Sequence, residues 1–230
     1  QVREQYGTLR ALAEQQLRPT TFALSQAMLQ ERLSAPASGR CMAYALLAGY
    51  ETTARYQSKV SSLQGVLRGM PILYSYTSAD SVFYPFAALY AILETGRQLM
   101  PNGYIAAQHQ MNLEQSFRQN GLPETLIAPS KKAASDISRQ IIDYARSDGY
   151  AHMSSYPPYQ AQNLPNAWTP APGAQALEPY WAYLRPFFLE SAQQFANQTA
   201  VPYDATTGSP FRTYTEEDRK STRLNSSHRT

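Results

Sequence analysis

Charge is scarce in this 230-residue chain: only 16% of residues are Asp, Glu, Lys or Arg, against about a quarter in an ordinary soluble domain. A single cysteine, Cys41, excludes an internal disulfide framework. Three histidines, His109, His152 and His228, are too scattered to suggest a metal cluster. Long apolar runs are missing too. The longest, around Cys41 to Ala48, falls far short of the 18 or so residues that a membrane span needs. There is no G-x-G-x-x-G, P-loop, H-E-x-x-H or C-x-x-C. These gaps remove the common nucleotide, zinc-protease and thiol-redox chemistries.

In place of ions the chain carries 20 Gln and 17 Tyr, so its surface is polar mainly through amides and phenols. The net charge of +3 is unevenly placed. Arg219, Lys220, Arg223 and Arg229 stand against Asp218 alone, and residues 1–217 are neutral. The body therefore offers no footprint for a phosphate backbone, and no nucleic-acid partner is expected. The stretch from Asp218, DRKSTRLNSSHRT, resembles the in-frame translation of a sequencing adapter. It is set apart as 218–230, foreign to a body of 1–217, with a native disordered tail as the alternative. The chain begins at Gln1 and shows no signal peptide, which leaves the compartment open.

Hydrophobic periodicity is helical throughout. Val2, Tyr6, Leu9, Ala13 and Leu17 recur at three or four, and Pro19 predicts a stop. Thr20 or Thr21 can cap a second helix carrying Phe22, Leu24, Met28, Leu29 and Leu33. APASGRCMAYALLAGYETTARY predicts a packed helix with Ala43, Leu46, Leu47 and Tyr50 facing a core, followed by a polar connector. SVFYPFAALYAILETGRQLMPNG is a strong helix closed by Pro101-Asn102-Gly103. Further helices are predicted over 104–119 and 123–147, ended by Asn120-Gly121 and Asp148-Gly149. Residues 149–173 form a Pro-rich loop, and Tyr180, Trp181, Leu184, Phe187, Phe188 and Phe195 suggest a last helix over 178–196. No strand is expected: the fold class is all-α, a multi-helix bundle.

Candidate reactive groups have plain readings. His109 sits on a polar helix and is read as solvated, and His152 as a structural loop residue. Cys41 is read as a small buried hydrophobe. Glu94 precedes Arg97 by three, an ordinary helical ion pair, and Asp148 sits at a helix cap.

Four stretches in order, APASGRCMAYALLAGYET, YPFAALYAILETGRQLMPNGY, IIDYARSDGY and AWTPAPGAQALEPYWAYLRPFFLESAQQF, resemble the N-terminal helical part of bacterial vanadium-dependent haloperoxidase-like proteins, of the type 2 phosphatidic acid phosphatase superfamily. The most specific pieces are Trp168-Thr169-Pro170-Ala171-Pro172, Trp181 with Leu184-Arg185-Pro186-Phe187, and Gln194-Phe195. The resemblance implies an oxyanion site built from K-x6-R-P, S-G-H and R-x5-H. There vanadate supports halide oxidation by peroxide, or phosphate chemistry hydrolyses monoesters. It also makes a periplasmic or exported parent protein compatible with the chain.

That constellation is not found. The Lys position for Arg185-Pro186 holds Glu178, whose charge would repel an anion, and for Arg18-Pro19 it holds Ala11. Ser226-Ser227-His228 has Ser where Gly is required, and no R-x5-H has the right context. Arg185 is read as a packing and ion-pair residue, and the Trp-Thr-Pro-Ala-Pro loop as a rigid lid or packing segment. The sequence thus assigns no catalytic, cofactor-binding or metal-ligating residue. It predicts a fragment of a haloperoxidase-like enzyme with its catalytic half beyond residue 217 and an exposed apolar face around 86–100 and 178–196. No cofactor is expected here; vanadate, with peroxide and halide or a phosphomonoester, belongs to the parent. The alternatives are an acid phosphatase of the same superfamily or a non-catalytic helical module docking through segment 156–188.

Overall fold

A computed structural model describes residues 2–162, 164, 167–195 and 201–227; side chains at 2–5 and 222–227 fall outside that description. The described residues form six α-helices, three short 3-10 segments and no strand. They divide into two compact units, Gln1–Pro157 with Leu177–Glu190, and Pro158–Ala176 with Ser191–Thr230.

In the larger unit α1 (Val2–Gln30) runs straight through Pro19. The predicted break fails because the buried stripe is continuous across it: Leu9, Ala13, Thr20, Leu24, Ala27 and Met28 all face inward. Packing of that stripe outweighs the backbone bond the proline removes. Around it, the Thr21 hydroxyl donates back to the carbonyls of Leu17 and Arg18. Keeping one helical register turns Leu17, Phe22 and Leu29 outward, with Leu29 79% exposed, so these three are surface rather than core.

Helix α2 (Ala35–Tyr56) starts where the Ser34 hydroxyl accepts from the Ala37 N–H, with proline in the first turn. It buries Cys41, Tyr44, Ala45, Leu47 and Ala48, whereas Leu46 and Tyr50 stay partly exposed, contrary to the expected core face. The connector is pinned by Glu51, whose buried carboxylate accepts from the Ser62 hydroxyl and the Leu63 N–H, both at 2.7 Å. Helices α3 (Tyr84–Leu99), α4 (Tyr104–Gln119) and α5 (Glu124–Arg146) follow close to their predicted bounds.

The most apolar helix, α3, is central and packs against α1, α2, α4 and α5. Phe86, Ala87, Leu89, Ala91, Ile92 and Leu93 are all buried. The apolar face expected to be open at 86–100 is therefore covered by the bundle's own helices. Gly103 has φ 67°, and a Cβ there would collide with the Arg97 carbonyl oxygen, so the α3–α4 turn requires glycine. Its N–H and that of Asn102 donate to the Glu31 carboxylate.

The predicted helix at 178–196 is reduced to a 3-10 turn, Trp181–Tyr183. Pro179 and Pro186 deprive this stretch of amide donors, and its aromatic groups serve loop packing instead. Tyr183 and Phe188 are exposed, as the open face predicted there requires. The final residue of that prediction, 196, lies outside the described residues.

In the smaller unit Trp168 packs on Tyr159, with ring centroids 5.5 Å apart, and its carbonyl accepts from the Tyr159 hydroxyl. Helix α6 (Pro210–Ser227) is capped by Ser209 and continues through Asp218.

Candidate functional site

The densest chemistry of the larger unit lies where the start of α2 meets the end of α5. The Arg40 side chain, on the first turns of α2, donates from Nε to Asp148 Oδ2 at 2.7 Å and from Nη2 to Oδ1 at 3.1 Å. Asp148 closes α5; its Oδ1 also accepts from the Tyr150 N–H, and its Oδ2 from the Tyr44 hydroxyl at 3.0 Å. Arg40 and Asp148 side chains are only 10% and 3% exposed. Arg40 further donates to the Ala145 carbonyl and stacks over the rings of Tyr44 and Tyr150. Burial, and then the neighbouring Asp148, push the Tyr44 phenol well above its ordinary range, so it stays a protonated donor.

Arg185 enters this cluster from the segment after the Pro-rich loop. Its guanidinium lies over the Tyr144 ring, 3.8 Å from the centroid, and donates to the Ser147 hydroxyl, the Tyr144 carbonyl and the Tyr44 hydroxyl. The packing role expected of Arg185 holds, but its partners are neutral groups rather than a carboxylate. Phe187 two residues on packs against Tyr44 at 5.1 Å, and its carbonyl accepts from the Arg68 N–H. Glu178 accepts from the hydroxyls of Ser34 and Tyr150.

The remaining candidates stay apart. Cys41 is buried, and desolvation raises its thiol to about 11, consistent with a packed hydrophobe and not with a nucleophile. The Glu94–Arg97 pair forms as expected at 2.7 Å. Glu94 also accepts from Gln98 and from Gln110 of α4, which bridges two helices. Burial alone would raise Glu94; these hydrogen bonds reverse the effect and leave it below the usual carboxylate value. His109 corrects the solvated reading: it is half-buried, its Nε2 is buried without a partner, and burial lowers its pKa. His152 is exposed, in the 3-10 turn Tyr150–Ser155. Arg146 and His152 have the R-x5-H spacing, but Arg146 pairs with exposed Asp143 in solvent. His228 lies outside the described residues.

In the sequence Asp148 reads only as a helix cap, and Arg40 and Tyr44 do not stand out. The signal lay in two of the stretches that carry the resemblance, GRCMAY and ARSDGY, but nothing in either one announces its partner in the other.

The architecture is the all-helical fold of vanadium haloperoxidases. A crystallographically solved bacterial vanadium-dependent iodoperoxidase matches with a TM-score of 0.79 at 23% sequence identity, over 94% of this chain and 52% of the other. The chain thus spans about half the length of that neighbour. No protein-family profile and no curated protein sequence matches the chain.

The residues of the cluster do not fit a vanadate. An oxyanion needs guanidinium or ammonium groups free to face it. Here Arg40 is engaged by Asp148 and Arg185 by Tyr44, Tyr144 and Ser147, with the Asp148 and Glu178 carboxylates beside them. Among the described residues no group of three His, Cys, Asp or Glu is placed to hold a metal ion. No described helix is long and apolar enough to cross a membrane.

Proposed function

We propose that this chain is the helical N-terminal part of a haloperoxidase-like enzyme, and that the whole protein oxidises halide with peroxide at a His-bound vanadate supplied by segments other than residues 1–217. The observation that carries this reading is the fold match along 94% of the chain to a protein about twice as long. The saturated Arg40–Asp148–Arg185 cluster supports it, because these residues hold the scaffold together and leave no cation for an anion. When bound, vanadate would supply the Lewis-acid activation of peroxide; residues 1–217 would supply the packed support for the segments that hold it.

The test is the native gene on the 3′ side of the codon for Glu217. K-x6-R-P, S-G-H and R-x5-H should follow in that order, and the adapter-like stretch from Asp218 should be replaced. An intact frame without these motifs would leave a non-catalytic helical module as the better reading. Iodide is the first halide to assay, because the structural neighbour is an iodoperoxidase. Turnover of a phosphomonoester without halide oxidation would assign the same fold to a phosphatase.

A further inference from the structure

We infer that Tyr156 and Tyr180 form an oxidative cross-linking site, at which a peroxide-driven one-electron oxidant joins the two phenols through a carbon–carbon bond. The bond closes the Pro-rich segment 157–179 into a covalent loop. The two residues bracket that segment, Tyr156 just after the 3-10 turn Tyr150–Ser155 and Tyr180 just before Trp181–Tyr183. Their ring centroids are 4.8 Å apart, which puts the ring edges in contact. A hydrogen bond holds them there: the Tyr180 hydroxyl donates at 2.7 Å to the carbonyl of Pro157, the residue next to Tyr156. Tyr183 completes the cluster, 5.6 Å from Tyr156 and stacked on Tyr180 at 5.9 Å. Tyr183 is 66% exposed and Tyr156 39%, so an oxidant in solution reaches the cluster. Among the described residues the other pair of tyrosine rings in contact is Tyr44 with Tyr144, and both are only 2% exposed.

The step balances with peroxide as the final electron acceptor. Each phenol gives up one electron and its O–H proton and becomes a phenoxyl radical, whose spin is shared with the ring carbons beside the C–O bond. The two radicals pair to form a single bond between a Cε of Tyr156 and a Cε of Tyr180. The hydrogen on each joined carbon then moves to its own oxygen, which restores both phenols. Peroxide takes up the two electrons and two protons; its O–O bond breaks and two waters leave. The chain loses two hydrogens in all. Rings already in contact make this coupling intramolecular, which favours it over encounter between separate chains. The oxidant is external, a haem peroxidase or a comparable high-valent metal centre, so the site is independent of the haloperoxidase reading.

The experiment treats the dilute full chain with hydrogen peroxide and a haem peroxidase, with free tyrosine in a parallel reaction to show that the oxidant is active. The monomer is recovered by size-exclusion chromatography, and its dityrosine fluorescence and proteolytic peptides are measured. It should acquire that fluorescence and yield the peptides carrying Tyr156 and Tyr180 joined to each other, lighter by two hydrogens. Phenylalanine keeps the ring contact but has no O–H to lose. Tyr156→Phe and Tyr180→Phe should therefore each abolish the link while circular dichroism shows unchanged helix content, and Tyr183→Phe should retain it. A monomer without the link, under conditions that couple free tyrosine, overturns the proposal. So does a link that persists in Tyr156→Phe or Tyr180→Phe, or one that maps to Tyr183 in place of Tyr180.

Discussion

Arg40 holds Asp148 through two hydrogen bonds, at 2.7 and 3.1 Å, across 108 positions of sequence. This pair ties the first turns of α2 to the end of α5, and through Tyr44 it also meets Arg185. Because both side chains are almost wholly buried, removing one partner leaves a charge without compensation. Asp148→Asn should destabilise the larger unit by about 3–5 kcal/mol. The Arg40→Met/Asp148→Leu double variant should cost clearly less than the two single changes added. Urea denaturation of Asp148→Asn, of the single variants Arg40→Met and Asp148→Leu, and of the double variant checks this. Additive losses would show that the pair is not coupled.

Glu94 bridges α3 to α4 through Arg97 on its own helix and Gln110 on the next. Its folded-state pKa lies below the ordinary 4.5, so its contribution is present above that value and lost as pH falls through the folded value. Glu94→Gln should cost about 1–3 kcal/mol at neutral pH, and the gap to the native chain should close in acid. A gap that is the same at pH 7 and pH 3 would show that ionisation is not what stabilises the bridge.

His109 works in the opposite sense. Burial holds its folded-state pKa below 6.5, so on acidification the unfolded chain takes up the proton first. Stability should therefore fall as pH drops through 6.5 toward the folded value. His109→Leu removes both this loss and the unpartnered Nε2. The variant should match or exceed the native chain at pH 7 and lose less between pH 7 and 5. Superimposable pH profiles of thermal unfolding would contradict the assignment.

At Gly49 α2 lies so close to α3 that an added Cβ would meet Ile92 Cγ1 at 2.5 Å and the Ala88 carbonyl oxygen at 3.1 Å. An exposed helical Gly→Ala change would gain about 1 kcal/mol; here Gly49→Ala should lose about 1–3 kcal/mol to overpacking. Adding Ile92→Ala to the Gly49→Ala background should cost less than Ile92→Ala alone. Stabilisation by Gly49→Ala would disprove the close approach.

Much of the bundle could be read locally, because α3, α4 and α5 combine regular apolar spacing with terminating Asn-Gly or Asp-Gly signals. At α1 a local rule lost to packing: the stripe Leu9, Ala13, Thr20, Leu24 needed one helix, and it carried Pro19 along. The exposed places of Leu46 and Tyr50 could not be read, since a helix pattern gives a face but not which neighbour is missing from it. Arg185 was legible as a packing residue. Its partners Tyr44, Tyr144 and Ser147 were not, for contacts over 141, 41 and 38 positions leave no periodic mark.

The most direct measurement is peroxide-dependent oxidation of iodide, followed as triiodide absorbance with and without added vanadate. It should be made on this chain and on the protein expressed from the extended native gene. The 230-residue chain should show no turnover, and the longer protein should show vanadate-dependent turnover. Vanadate-dependent iodide oxidation by residues 1–217 alone, or a longer protein inert with iodide and bromide alike, would contradict it.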